Sequence, residues 1–253
     1  MNGSAYAEES ARRSLEAVRR RIREACERAG RDPATASLLA VGKTFPAERL
    51  LALAAAGQHD FGENYLQEAL AKQERCAALA PGMRLRWHFI GPIQSNKTRA
   101  IAEHFDWVHS VDRERIARRL SEQRPADAGP LSVCLQVNID AEDTKSGCAP
   151  QDLPALARAV AAMPRLRLRG LMAIPAPRED FEAQREAFAA VRALFERLRA
   201  EGLALDTLSM GMSADIEAAI AEGATIVRVG TALFGERPRK GADGTGQGDG
   251  ADS

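Results

Sequence analysis

The sequence predicts an α/β fold, a single (β/α)8 barrel with an extra N-terminal helix. Three observations predict it: eight short apolar runs are each followed by a helical stretch or turn, the eight units fill about 200 residues, and no G-x-G-x-x-G follows the first run. Regular βα alternation calls for a parallel sheet covered by helices. Eight units in that length suit a closed barrel better than an open doubly wound sheet, whose dinucleotide fingerprint is missing.

The extra helix comes first. From about Glu8 to Gly30, Leu15, Val18, Ile22, Ala25 and Cys26 recur at helical spacing between Arg and Glu, and Gly30 with Pro33 supplies the stop. The first strand is Ser37–Gly42, with a helix from Pro46 to Gly57. His59–Gly62 precedes a helix near Asn64, and Arg86–Ile90 precedes one from about Ser95. Trp107–Val111 leads to a helix at Arg113, and Ser132–Ile139 to one near Asp152. Leu166–Met172 precedes the long helix Glu179–Ala200, and Thr207–Met210 a helix from Ala214. Thr225–Val229 closes the series, followed by Leu233, Phe234 and Gly235. Residues 8–236 read as one domain, and residues 237–253 as a Gly/Asp-rich tail expected to be disordered.

Composition narrows the function classes. Lys plus Arg balances Asp plus Glu at 35 each, which argues against a nucleic-acid partner. No run approaches the roughly 18 apolar residues of a membrane span, and the charged N-terminus lacks a secretory apolar region. A cytoplasmic address is expected. Cys26, Cys76, Cys134 and Cys148 are scattered, without zinc spacing, and are expected to be reduced and to share no role.

Chemistry in such a barrel sits at the C-terminal ends of the strands. Lys43, Glu63, Asn64, His88, Asn138, Lys145, Met172, Ser213, Arg228, Gly230 and Thr231 fall there. Lys43 ends an apolar strand, where desolvation lowers an amine's pKa and frees the nucleophilic form needed for a Schiff base. Taken alone, a lysine that merely snorkels from the strand end is the commoner case. Gly211, Ser213, Gly230 and Thr231 close strands seven and eight, where barrels often bind phosphate. Ser213 could instead be a helix cap and the glycines turn residues. Arg228 interrupts an apolar strand and needs a partner there. That partner is either a carboxylate across the barrel or a ligand nitrogen that a fixed cation would keep unprotonated.

The sequence motifs then become recognisable. Ala40-Val41-Gly42-Lys43-Thr44, Phe61-Gly62-Glu63-Asn64-Tyr65, Trp87-His88-Phe89-Ile90-Gly91, Lys145-Ser146-Gly147, Leu208-Ser209-Met210-Gly211-Met212-Ser213 and Val227-Arg228-Val229-Gly230-Thr231 occur in order. With these the chain resembles the pyridoxal phosphate homeostasis proteins, which are similar to the barrel domain of alanine racemase. The resemblance implies that Lys43 forms a Schiff base with pyridoxal 5′-phosphate (PLP), and that Ser213, Gly230 and Thr231 bind its phosphate. It implies that Arg228 faces the pyridine nitrogen and that Asn64 lies near the cofactor. His88 and Lys145 fall in family motifs at the barrel mouth, without an assigned bond. Gly42 departs from the family, which often has Ser there.

The resemblance also implies a monomeric carrier that limits free PLP and supplies apo-enzymes. A racemase acting through Lys43 is the alternative. It would need a second acid/base group, which racemases take from a further domain for which this chain has no room. Tyr6 and Tyr65 are the only tyrosines; Tyr6 lies in the N-terminal tail, and Tyr65 is expected to pack or hydrogen-bond locally. A barrel that binds some other phosphate without a covalent link is a third reading.

Overall fold

The computed structural model describes residues 3–140 and 146–235, with side chains from residue 7 onward. Eight parallel strands close on themselves in chain order as a (β/α)8, or TIM, barrel. They are β1 (Ser37–Val41), β2 (Asp60–Glu63), β3 (Arg86–Phe89), β4 (Trp107–Val111), β5 (Leu131–Gln136), β6 (Leu166–Met172), β7 (Thr207–Ser209) and β8 (Ile226–Val229). Closure is made by β1 against β8, with Leu39 beside Arg228 and Ala40 beside Val229.

The helices are α1 (Gly3–Arg28), α2 (Ala47–Ala55), α3 (Leu66–Leu79), α4 (Thr98–His104), α5 (Glu114–Gln123), α6 (Leu153–Ala161), α7 (Phe181–Ala200), α8 (Ile216–Ala221) and α9 (Thr231–Phe234). Each strand is thus followed by a helix. Their apolar faces, such as Ile116, Ala117 and Leu120 of α5, are buried on the sheet, which is how an all-parallel sheet covers both faces. Asp180 caps α7 by accepting from the Ala183 N–H at 2.9 Å.

The extra helix α1 lies against α2, α8 and α9 and buries Leu15, Val18, Ile22, Ala25 and Cys26, the predicted stripe. Gly30, at φ 65°, ends it as expected. Arg21 ties α1 to α8 through two hydrogen bonds of 2.6 Å to Glu217. Among the described residues, no helix is long and apolar enough to cross a membrane. The predicted Gly/Asp tail and Lys145 lie outside the described residues.

Candidate functional site

All six site residues chosen from sequence line one cavity. Lys43, Asn64, Ser213, Arg228, Gly230 and Thr231 share a space of about 300 Å3 at the C-terminal ends of the strands. Val41, Phe45, Ile90, Ile174 and Met212 supply its apolar walls. This mixture of apolar lining and a few convergent polar groups suits a small ligand.

Lys43 is half-buried at the end of β1, in a turn closed by the Phe45 N–H to the Gly42 carbonyl at 3.1 Å. Asn64 follows β2, and its Oδ1 is buried without a hydrogen-bond partner among the described residues. Ser213 is no helix cap, because α8 starts only at Ile216 with Asp215 before it. Its loop is pinned from α1 by Arg21 Nη1, which donates to the Ser213 carbonyl at 2.7 Å. Gly230 and Thr231 open α9, whose first N–H groups have no preceding helical carbonyls to bond.

Arg228 is almost wholly buried. Nη1 donates to the Ser209 carbonyl at 2.5 Å and to Ser209 Oγ at 2.8 Å, and Nη2 donates to the Ala173 carbonyl at 2.8 Å. Among the described residues no carboxylate forms an ion pair with it, so the structural ion pair considered from sequence is not what holds it. Burial pushes its pKa down to about 10, partly offset by the charge of Asp215. It remains a cation at neutral pH.

Behind Arg228 a hydrogen-bonded chain runs through the barrel core. Ser209 Oγ lies 2.8 Å from His109 Nδ1, His109 Nε2 lies 2.9 Å from His88 Nδ1, and His88 Nε2 lies 3.2 Å from Asp60 Oδ1. Arg86 closes the chain with two bonds of 2.6 Å to Asp60. Burial holds both imidazoles below their ordinary pKa, His109 well below. Burial also opposes charge on Asp60, yet hydrogen bonds from His88 and Arg86 bring its carboxyl to about 2. Arginine can only donate. With Asp60 ionised and both imidazoles neutral, His88 donates from Nε2 to Asp60, which leaves its Nδ1 to accept from His109 Nε2 and His109 Nδ1 to accept from Ser209 Oγ.

His88 thus corrects the sequence reading. It lies within β3, turned toward Asp60 at the opposite end of the barrel, not at the mouth. An inward position on a four-residue strand sends its ring into the core. Met172 is core, and neither it nor Asn138 lines the cavity. Tyr65 is 58% exposed and does not line the cavity. All four cysteines are buried and unlinked. Sequence reasoning missed Ser209 and His109, although a histidine and a serine on otherwise apolar strands were available as a signal.

Residues 14–238 match the family pattern described as the alanine racemase N-terminal domain. A Pseudomonas aeruginosa protein named pyridoxal phosphate homeostasis protein is 66% identical over 220 residues, covering 87% of this chain and 93% of its own. The chain belongs to the pyridoxal phosphate homeostasis protein family. A family member from Escherichia coli is 52% identical over 224 residues, covering 88% of this chain and 95% of its own. PipY of Synechococcus elongatus, whose solved structure has PLP bound, matches with a TM-score of 0.77 at 37% identity, covering 89% of this chain and all of PipY. Alanine racemase from Corynebacterium glutamicum has a TM-score of 0.65 at 21% identity, covering 90% of this chain and 64% of the racemase, a likeness of fold alone. The pyridoxal phosphate homeostasis family and its barrel are therefore what the motifs implied.

Proposed function

We propose that this protein binds PLP reversibly as a Schiff base on Lys43 and supplies it to apo-enzymes, as a monomeric cytoplasmic carrier in vitamin B6 homeostasis. The observation that carries this reading is the convergence of Lys43, Asn64, Arg228, Ser213, Gly230 and Thr231 on one cavity. Residues in this cavity fit a phosphorylated pyridine aldehyde. Asn64 Oδ1 is buried with no hydrogen-bond partner among the described residues. The hydroxyls of Ser213 and Thr231 and the opening N–H groups of α9 offer donors for a phosphate.

When bound, PLP supplies an electrophilic aldehyde and, in enzymes, an electron sink. Lys43 gives its deprotonated amine to the aldehyde carbon, and water leaves as the C=N bond forms. Val41, Phe45 and Ile90 line the same cavity and give the amine a partly apolar setting. Arg228, a cation already committed to Ser209 and Ala173, presents positive charge to the ring nitrogen and disfavours its protonation. The relay to Asp60 offers Arg228 no basic group, since both imidazoles already donate away from it.

The same wall that suits binding is poor for turnover. Racemisation needs an acid/base group on each face of the substrate carbon, and Tyr65 does not line the cavity. The relatives' names point to homeostasis rather than catalysis. To test the carrier reading, PLP-loaded protein is incubated with alanine in D2O, then with a PLP-dependent apo-enzyme. α-Hydrogen exchange no faster than with free PLP, together with reactivation of the apo-enzyme, is expected. Exchange orders of magnitude faster than with free PLP would instead establish a racemase.

A further inference from the structure

The turn that carries Lys43 is backed by charged groups for which the proposed chemistry has no use. Thr44 has φ 70°, the left-handed region that a β-branched residue rarely enters. Its N–H is held by Glu68 Oε1 at 2.6 Å. Lys72 of α3 is buried beneath the turn and donates to the Gly42 carbonyl at 2.7 Å, Glu63 Oε1 at 2.7 Å and Glu68 Oε1 at 3.1 Å. Three donors meet three acceptors, so this ammonium is saturated.

Glu63 ends β2 and is fully buried. Its Oε2 has no hydrogen-bond partner among the described residues. A β-carbon on Gly42 would stand 2.7 Å from Glu63 Oε1, so glycine there admits the carboxyl against the main chain leading into Lys43. Burial pushes the Glu63 carboxyl up to about 7, against the pull of Lys72. The groups facing it are Lys72, Glu68 and Cys76 from α3 and Lys43 from the turn. Leu50 of α2 packs over Gly42 beside the Glu63 carboxyl, and Phe89 of β3 is the strand neighbour of Glu63. Strain and unsatisfied buried atoms gather where function requires them.

We propose that Glu63 and Lys72 are positioning residues for Lys43, a buried acid–base pair that fixes the turn and, as Glu63 gains or loses its proton, sets the field at the Lys43 nitrogen. This rests on the reading of Lys43 as the Schiff-base lysine. With Glu63 protonated, the charges of Lys72 and Glu68 cancel. With Glu63 ionised, the cluster carries a net negative charge that favours the cationic form of the Lys43 nitrogen.

The test titrates wild type, Glu63→Gln and Glu68→Ala with PLP across about pH 5–9, a window that brackets the raised Glu63 carboxyl at about 7. It reads visible Schiff-base absorbance and the lysine trapped by borohydride. Glu63→Gln should still trap PLP, with its absorbance midpoint lowered by about one pH unit, as expected from losing one partly screened neighbouring charge. Glu68→Ala should trap several-fold less, because Thr44 loses its anchor. A Glu63→Gln curve superimposable on wild type would overturn the proposal. Should Glu63→Gln fail to fold, unchanged trapping by Glu68→Ala would overturn it alone. A wild type that traps nothing at any pH defeats the Schiff-base reading itself, and this proposal with it.

Discussion

Arg228 gives two hydrogen bonds to Ser209 and one to Ala173, and what stands behind Ser209 decides its character. A buried guanidinium without a carboxylate beside it is costly. Here the cost is offset by carbonyls and by a chain of aligned dipoles that ends on ionised Asp60. The acid limb of stability reports on that last link. Asp60 is held at about 2, below its ordinary 3.8, so the folded state binds its proton less tightly than the unfolded chain does. The resulting stabilisation is complete above about pH 4 and is lost as pH falls toward 2. Asp60→Asn keeps an acceptor for His88 but removes the charge. It should lower stability at pH 7 by about 1–2 kcal/mol, with solvent screening allowed for, and the gap should close below pH 3 in urea titrations. A gap that persists unchanged to low pH would show that Asp60 acts by shape and not by charge.

Among the elements, the strand ends do the positioning, and they were legible because a barrel strand reads as an apolar run with polar residues at its C-terminal edge. β1, β4 and β6 fall within a residue of their predicted bounds. Limits were less legible where backbone geometry competes with hydropathy. Val137 to Ile139 are apolar or tolerant enough to extend β5, yet the ladder ends at Gln136. α8 begins two residues late because the Met212 N–H turns back onto Asp215 Oδ1 at 2.5 Å. One close approach fixes how β2 and β3 present the site. A β-carbon on Gly91 would lie 2.0 Å from the Asn64 carbonyl oxygen, so only glycine lets these loops touch. Gly91→Ala should cost about 2 kcal/mol or more by forcing the backbones apart, and should weaken PLP binding by displacing Asn64. Thermal unfolding and equilibrium binding check both; an unchanged Tm with unchanged affinity would mean the loops move apart freely.

At the scale of the whole molecule, barrel closure joins what the chain separates. Leu39 beside Arg228 puts the Lys43 strand next to the strand bearing Gly230, and His109 reaches Ser209 across 100 residues of sequence. Closure turns every strand end toward one mouth, which made the six cavity residues candidates. Position within a βα unit also selected His88, Asn138 and Met172, and the family motifs were needed to tell them apart. The brace of Lys72 and Glu68 was not legible, since it depends on where long side chains of α3 end up beneath a turn. The relay was not legible either, because His88 and His109 needed the inward or outward sense of short strands. α1 adds a further tie, with Arg21 linking the extra helix to the Ser213 loop.

The central claim, PLP held covalently on Lys43, is tested most directly by the visible absorbance of the purified protein given PLP, before and after borohydride, with Lys43→Ala alongside. A yellow band that borohydride bleaches in wild type and that Lys43→Ala lacks is the predicted result. A protein that stays colourless with PLP, or a Lys43→Ala variant with the same band, would contradict it.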